Sequence, residues 1–395
     1  MLRLRGEKRM RCKPVLSVGC LLVFTFLFTS GCWSQKNLEY LTVVSGLGLD
    51  AAPEGQIEVT VQLLNPTPPT GAGGSGKEKR PFAIYSATAK TINGALDLIQ
   101  QQTKKTLFLT QTRSIVISEK LARRGVHDHM DYFWRSGNKN LTAPILISKR
   151  SAKETLQYAK ELENVPSDAW RLYFMNEERR PSAGELQLYL FLPRMDQIGH
   201  EAIGAGIIPA TGGNIMKISN TAVFHQGKMV GWLSNKETEM MRWIKKEIGR
   251  RTVLVDLTSD NSETLSFRLS GLRSRFNANV QGKQITIEIR LKAKAEAVET
   301  ALNMDFTDLE IVRKFESRLN GLLQDRVQQT LTKIYANYRS DIIGFGEFIH
   351  QRHPGQWKKL KPNWRNRLPQ LDFKVEVKTT IINSGLERVS KSQAR

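Results

Sequence analysis

Residues 307–338, TDLEIVRKFESRLNGLLQDRVQQTLTKIYANY, decide the fold of the second half of this chain, because they predict its longest helix. Aliphatic and aromatic side chains recur three or four positions apart from Ile311 to Tyr338 and form one apolar stripe along the helix. At 1.5 Å per residue, roughly thirty residues extend about 45 Å, the length of a domain face. Thr307-Asp308-Leu309-Glu310 has the form of a capping box, which predicts where the helix begins.

The segments on both sides of this helix predict the sheet that it covers. Alternating apolar residues predict strands before the helix and a last strand after it, at 252–257, 267–272, 275–280, 285–292 and 373–381. A second capping box at 234–237 (SNKE) opens a shorter helix. We therefore predict an antiparallel sheet under one long helix, an α+β domain over residues 215–386. The polar residues 387–395 are predicted to form a disordered tail.

The preceding part of the chain alternates strand and helix patterns. Residues 41–49 and 57–64 flank a turn and predict a β-hairpin, and residues 65–81 (NPTPPTGAGGSGKEKRP) predict a flexible loop. Further strands and helices alternate as far as residue 162, and the pattern loosens between 181 and 213. This predicts an α/β region over residues 32–205, as one domain or two subdomains. The whole chain is then a multi-domain α+β protein with mixed or antiparallel sheets packed with helices.

The first 32 residues have the layout of an export signal. A basic head with six Lys and Arg residues precedes an apolar run at 15–28, and the small residues Thr-Ser-Gly precede Cys32. The run has about fourteen residues, whereas a membrane-spanning helix needs roughly twenty. We therefore predict a signal peptide, residues 1–31, cleaved before a cysteine that carries diacylglycerol on its sulfur, as in bacterial lipoproteins. An ordinary secreted protein and an uncleaved signal anchor remain as alternatives.

The net charge indicates which partners the chain can bind, and the cysteine content indicates which thiol-based sites it can contain. The net charge is +21, and removal of the signal, with six basic residues and one acidic residue, leaves +16. A surplus of this size favours an anionic membrane surface or nucleic acid, and export argues against nucleic acid. The three cysteines are Cys12, Cys20 and Cys32, so a body lipidated on Cys32 has no thiol for a disulfide, a zinc site or a nucleophile.

The chain contains no convincing catalytic or cofactor motif. Gly46-Leu47-Gly48 lacks the third glycine and the following helix of a nucleotide-binding loop. The pairs His127/His129 and His350/His353 are not interpreted as metal ligands, because the first pair points to opposite sides of an extended segment and the second runs into Pro354. No serine elbow or Ser-x-x-Lys motif with supporting context occurs in the mature chain. We therefore predict no catalytic, metal-binding or cofactor-binding residues and no enzymatic activity.

Five segments together resemble the Ger(x)C family of bacterial spore-germination lipoproteins, the C subunits of nutrient germinant receptors. The segments are Gly31-Cys32-Trp33, Gly46 to Asp50, RSIVISEKLARRG at 113–125, TAVFHQGKMVGWL at 221–233, and DIIGFG at 341–346 with Trp357 and Trp364. The resemblance extends over nearly the whole mature chain to Gly385.

This resemblance implies a non-catalytic lipoprotein with a body of mixed sheets and helices. Its acyl chains, palmitate among them, would hold it through Cys32 at the outer face of the spore's inner membrane, in a receptor with two integral-membrane subunits. The resemblance implies a response to nutrients but identifies no residue that contacts one. A lipoprotein solute-binding module that captures a small ligand directly is the alternative.

Overall fold

The computed structural model describes residues 37–65, 81–137, 139–158, 165–175, 187–209, 216–247, 253–258, 264–282, 284–300 and 308–382. The predicted signal peptide, Cys32, residues 66–80 of the predicted loop and the predicted tail lie outside these ranges. The fold is α+β, as predicted, with two sheets and a long helix in the C-terminal part.

The strands are β1 (Leu41–Ala51), β2 (Ile57–Leu64), β3 (Phe82–Ala89), β4 (Thr106–Phe108), β5 (Ser114–Ser118), β6 (Ile145–Ser148), β7 (Ile203–Pro209), β8 (Met216–His225), β9 (Lys228–Leu233), β10 (Val253–Thr258), β11 (Thr264–Gln281), β12 (Gln284–Thr300) and β13 (Asp372–Ile381). The helices are α1 (Ile92–Gln102), α2 (Glu119–Arg124), α3 (His127–Arg135), α4 (Ala152–Gln157), α5 (Pro166–Met175), α6 (Leu188–Arg194), α7 (Asn235–Ile244), α8 (Leu309–Thr332), α9 (Phe345–Arg352), α10 (Pro354–Leu360) and α11 (Trp364–Arg367). A π-helical turn, Lys333–Asn337, continues α8.

The first sheet has the order β3-β2-β1-β5-β6-β7-β8-β9, with β4 paired to the start of β1. The predicted hairpin is confirmed, because β1 and β2 pair antiparallel with Leu49 opposite Val59. Strands β1, β5, β6 and β7 run parallel, which requires long crossover connections. Both faces of β5 are buried: Ile115 and Ile117 join a core with α2 and α3, and Val116 joins a second core with α4 and α5.

The first sheet continues across the predicted boundary between residues 205 and 215. Strands β7 and β8 pair antiparallel, with Ile203 opposite Val223, and β9 then forms a hairpin with β8. The division into domains at this place therefore stays a prediction, and the hydrogen-bonded ladder connects its two sides. Helix α7 follows, and its predicted capping box is confirmed by reciprocal bonds between Ser234 and Glu237.

The second sheet has the order β10-β11-β12-β13 and lies under α8. The predicted strands at 267–272 and 275–280 form one strand, β11, with a register shift between Ser270 and Arg273 and Gly271 at φ 58°. The sheet is not wholly antiparallel as predicted, since β13 runs parallel to β12. The physical reason is the connection: α8 to α11 carry the chain back across the sheet, and such a crossover returns the next strand in the same direction.

Helix α8 covers the inner face of this sheet as its sequence pattern predicts. Its buried apolar residues are spaced four apart, at Phe315, Leu319, Leu323, Val327 and Leu331, and the facing strand β12 buries Ile285, Ile287, Ile289 and Leu291. The N-cap is Asp308, whose carboxylate accepts a 2.8 Å bond from the N–H of Glu310. This cap replaces the Thr307 box predicted from the sequence, because a carboxylate at the N-cap also favours the helix dipole.

Candidate interaction sites

Cys32, the site residue predicted from the sequence, lies outside the described residues, so its lipidation stays a prediction. Among the described helices, none combines the length and the apolar character that a membrane crossing requires. The structure instead brings together two groups of polar residues in the body: a buried junction around Asp341 and a groove beside α1 and α3.

Asp341 lies at the centre of the buried junction. Its carboxylate has no exposed surface and accepts hydrogen bonds from the hydroxyl of Tyr335 (2.7 Å), the indole N–H of Trp364 (2.9 Å) and the backbone N–H groups of residues 344–346 (2.8–3.0 Å). Tyr335 reaches this carboxylate from the π-helical turn. Burial raises the pKa of Asp341 to about 6, although hydrogen bonds from Gly346, Tyr335, Phe345 and Trp364 oppose the rise.

The sequence DIIGFG supplies the backbone conformation that this carboxylate needs. Gly344 has φ +87°, a conformation that side chains with a Cβ rarely adopt, and it precedes the first turn of α9. A Cβ at Gly346 would lie 2.5 Å from Cα of Gly199 and 2.7 Å from Nε1 of Trp364. The glycine therefore permits the close approach of α9, Trp364 and the segment before β7.

Glu201 connects the same junction to the first sheet. Its side chain is only 2 % exposed, and its carboxylate accepts bonds from His225 Nδ1 (3.0 Å), Ser340 Oγ (2.9 Å) and Arg365 Nε (3.0 Å). Its backbone N–H donates a 3.0 Å bond to the carbonyl of Asp341. Hydrogen bonds therefore join Glu201, which lies before β7, to Ser340 and Arg365 in the C-terminal part of the chain. Buried polar groups require such partners.

His200 adds a third connection between these segments. Its Nδ1 lies 2.5 Å from Oε2 of Glu347, at the start of α9. Burial, together with the positive charges of Lys245 and Arg194, lowers the pKa of His200 to about 2. The neutral imidazole therefore donates from Nδ1 to the carboxylate, and the junction holds the start of β7 against α9.

A groove of about 1120 Å³ lies on the surface between α1 and α3. Ile92, Leu96 and Tyr132 give it an apolar lining, and charged residues surround them: Lys90, Asp97, Arg124, His127, Asp128, Asp131, Arg135 and Lys228. The mixture of apolar and charged groups of both signs is suited to contact with a polar partner or a small ligand.

The first histidine pair, His127 and His129, lines this groove and lies on α3, not on the extended segment predicted from the sequence. His127 Nε2 lies 2.9 Å from Oδ1 of Asp196. Burial lowers the pKa of His127, but the carboxylates of Asp196 and Asp128 outweigh it, and the net direction is upward. Burial and the charge of Arg124 lower the pKa of His129. The described residues contain no group of three His, Cys, Asp or Glu placed to hold a metal ion.

The sequence motifs mark structural positions in these sites. Residues 113–125 form β5 and α2, residues 221–233 form the β8–β9 hairpin, and DIIGFG forms the junction. Sequence reasoning missed Glu201, His200, His225 and Arg365, which share the junction with Asp341. One available signal was the pair His200-Glu201 directly before the apolar, glycine-rich segment that became β7, since ionisable residues inside an apolar run must find buried partners.

Comparison with known proteins places the chain in a family. Residues 34–207 match the family model described as "Spore germination protein N-terminal domain", and residues 219–385 match "Spore germination B3/ GerAC like, C-terminal". Together the two matches span most of the chain, so it belongs to this family of spore germination proteins.

Individual relatives are similar over nearly their whole length. In Bacillus subtilis (strain 168), spore germination protein YndF is 25 % identical, covering 96 % of this chain and 98 % of the relative, and spore germination protein KC is 24 % identical, covering 93 % and 95 %. The crystal structure of the GerBC protein has a TM-score of 0.57 at 17 % identity, covering 86 % of this chain and 97 % of that one. This structural likeness concerns the fold.

Proposed function

We propose that this chain is a lipid-anchored, non-catalytic subunit of a nutrient germinant receptor and takes part in triggering spore germination. In this proposal, diacylglycerol on Cys32 holds the body at the outer face of the spore's inner membrane. There it assembles with the receptor's integral-membrane subunits. The observation that carries the proposal is the match of both family models over the body, after residues 1–31, which have the sequence pattern of an export signal and precede Cys32.

The anchor is supported by the order of residues at the N-terminus. Each CH₂ group of an acyl chain adds about 0.8 kcal/mol of membrane affinity, and stable anchoring takes two chains or one chain with basic residues. A diacylated Cys32 meets the first condition. The mature net charge of +16 would add attraction to an anionic leaflet.

A non-catalytic role is supported by the way the body uses its buried ionisable groups. The carboxylates of Asp341 and Glu201 are inaccessible and each accepts bonds from several protein donors. A general acid or base must come within hydrogen-bond reach of its substrate, directly or through one water. These two carboxylates instead hold segments of the chain together.

The proposal is tested by Cys32→Ala in the full chain, in a spore former that lacks its own copy. Incorporation of labelled palmitate, membrane retention after a high-salt wash and nutrient-triggered germination are measured together. We expect loss of palmitate, release from the membrane and impaired germination. The matched control is Cys20→Ala, which removes a thiol from the apolar run without touching the cleavage site. If Cys32→Ala retains palmitate, membrane attachment and germination, the proposal is wrong.

The groove beside α1 and α3 favours a second candidate function, direct capture of a small ligand by a lipoprotein solute-binding module. Its volume of about 1120 Å³ is of the order of known ligand sites. Calorimetric titration of the full chain in detergent with nutrient germinants tests this candidate. Saturable heat that disappears in Tyr132→Ala would favour it, and its absence with every germinant that triggers the spores would exclude it.

A further inference from the structure

The outer face of the second sheet is an exposed surface rich in basic side chains. Strand residues alternate between the two faces, and the inner set packs under α8. The outer set, at alternate positions of β11, β12 and β13, is exposed or half-buried. Eight of these side chains are basic and four are acidic, so the face has a surplus of four positive charges: Arg268, Arg273, Arg275, Arg290, Lys292, Lys294, Lys374 and Lys378 against Glu288, Glu296, Asp372 and Glu376. Two of the acidic residues are paired, Glu296 with Arg268 and Glu376 with Arg290.

One row across this face consists of cations alone. Arg273 pairs with Lys292 across β11 and β12, and Lys292 pairs with Lys378 across β12 and β13. All three side chains are exposed, and none forms a salt bridge with a carboxylate of the described residues. Like charges directly opposite each other destabilise a sheet. The fold bears this cost at a place where core packing does not require basic residues.

A basic pocket extends the face at the edge of β11 beyond Leu269, the last residue of β11 that pairs with β10 in the described part of the chain. The pocket has a volume of about 540 Å³ and is lined by Lys246, Arg275, Arg352 and His353 with Phe276, Phe348 and Asn277, so it contains no carboxylate. Arg275 belongs to both the pocket and the outer face. The ammonium group of Lys246 lies 5.9 Å from the ring centroid of Phe276, which leaves its hydrogen-bond donors available to a ligand.

We propose that the outer face of β11–β13, centred on Arg273, Lys292 and Lys378, binds the anionic phospholipid surface of the membrane. The ligand chemistry is the phosphate of lipid headgroups, and the pocket at Lys246 and Arg352 holds one such group. The proposal rests on the proposed function, in which Cys32 keeps the body beside a membrane. An exposed face with a surplus of cations fits a charged bilayer, and each Lys or Arg near an anionic leaflet strengthens binding about fivefold.

The test uses the full lipidated chain, isolated from membranes and reconstituted on vesicles of phosphatidylcholine alone or with added phosphatidylglycerol. Exposed lysines are labelled with an amine reagent and quantified by mass spectrometry. We expect labelling of Lys292 and Lys378 to fall several-fold on the anionic vesicles only. About 0.5 M NaCl should restore it, because that salt shortens the Debye length to about 4 Å. Lys314, on α8 at the opposite side of the sheet, serves as the internal control.

Two double variants, each lacking two positive charges, distinguish binding through this face from attraction by the overall positive charge of the protein. Lys292→Gln with Lys378→Gln should abolish the protection of the neighbouring Lys294, whereas Arg313→Gln with Lys314→Gln on α8 should leave it intact. Equal labelling on both kinds of vesicle overturns the proposal. Protection that also appears on neutral vesicles overturns it too and indicates a protein partner or a second copy. Flotation with neutral vesicles reports the Cys32 anchor, so the proposed function and this inference can fail separately.

Discussion

The indole N–H of Trp364 donates a 2.9 Å hydrogen bond to Oδ2 of Asp341, a buried carboxylate 23 positions earlier in the chain. The same oxygen accepts a 2.8 Å bond from the N–H of Gly346. The other carboxylate oxygen, Oδ1, accepts bonds from the hydroxyl of Tyr335 and the N–H groups of residues 344 and 345. One side chain therefore fixes the π-helical turn after α8, the start of α9 and the start of α11. This relationship gives the DIIGFG motif a structural role.

Asp341→Asn should destabilise the protein by about 2–4 kcal/mol in the free energy of unfolding, because an amide presents its own N–H₂ group to donors that the carboxylate satisfied. Denaturant unfolding of the full chain in detergent measures the loss. Asp325→Asn is the control: this residue is exposed on α8, and we expect a change within about 0.5 kcal/mol. Equal effects of the two substitutions would show that the Asp341 bonds contribute little.

The free energy of unfolding should depend on pH through the ionisation of Asp341. Burial raises the pKa of Asp341 from 3.8 to about 6, so the folded state binds this proton more tightly than the unfolded state. The Asp341 contribution to stability is therefore full below pH 3.8, falls as the pH rises to about 6, and is constant above it. The shift corresponds to about 3 kcal/mol.

Comparison of unfolding free energies between pH 4 and pH 7 isolates this contribution. Wild type should lose stability relative to Asp341→Asn over this range, because the variant lacks the titrating group. The difference between the two proteins removes the contributions of all other titrating groups. Parallel pH profiles would contradict the raised pKa.

Local sequence patterns predicted most individual elements. The 307–338 stripe became α8 and its π-helical extension, and the alternation at 41–49 and 57–64 became the β1–β2 hairpin. Periodicity succeeds there because it records which side of one element is buried. Helix α3 was missed, because its polar residues 127–129 obscure its apolar positions, Met130 and Phe133.

Long-range relationships could not be predicted in the same way. The parallel pairing of β12 with β13 depends on where α8 to α11 return the chain, and the alternation of β13 fits either direction. Likewise, Glu201 and Arg365 are 164 positions apart. The apolar segment after Glu201 indicates that its carboxylate needs a buried partner, but nothing in the local sequence identifies Arg365 as that partner. Only the assembled fold shows that the two side chains form an ion pair.

Gly346→Ala should destabilise the junction, whereas Gly321→Ala should stabilise α8. A Cβ at position 346 would lie 2.5 Å from the Cα of Gly199, a backbone atom that cannot move alone. A Cβ at position 321, inside the helix, meets nothing within 4 Å and gains about 1 kcal/mol of helix propensity. Thermal unfolding of the two variants should shift in opposite directions. A neutral Gly346→Ala would mean that α9 can move away from residue 199 at little cost.

Breaking the ion pair between Glu201, which is 2 % exposed, and Arg365, which is 24 % exposed, should cost more stability than breaking a fully exposed pair of the same type. Arg365→Met leaves the buried carboxylate of Glu201 without its cation but with the donors His225 and Ser340, so we expect a loss of about 2–3 kcal/mol in unfolding free energy at neutral pH. The control is Arg290→Met, which breaks the exposed pair with Glu376 and should cost at most about 1 kcal/mol.

A double-mutant cycle then distinguishes the ion pair from packing of the Arg365 side chain. Glu201→Gln removes the buried charge while keeping an acceptor for His225 and Ser340. Combined with Arg365→Met, it should restore part of the lost stability, because no unpaired charge remains in the junction. If the two losses simply add, Arg365 acts through its packing and the charge pair does not hold the first sheet to the C-terminal segment.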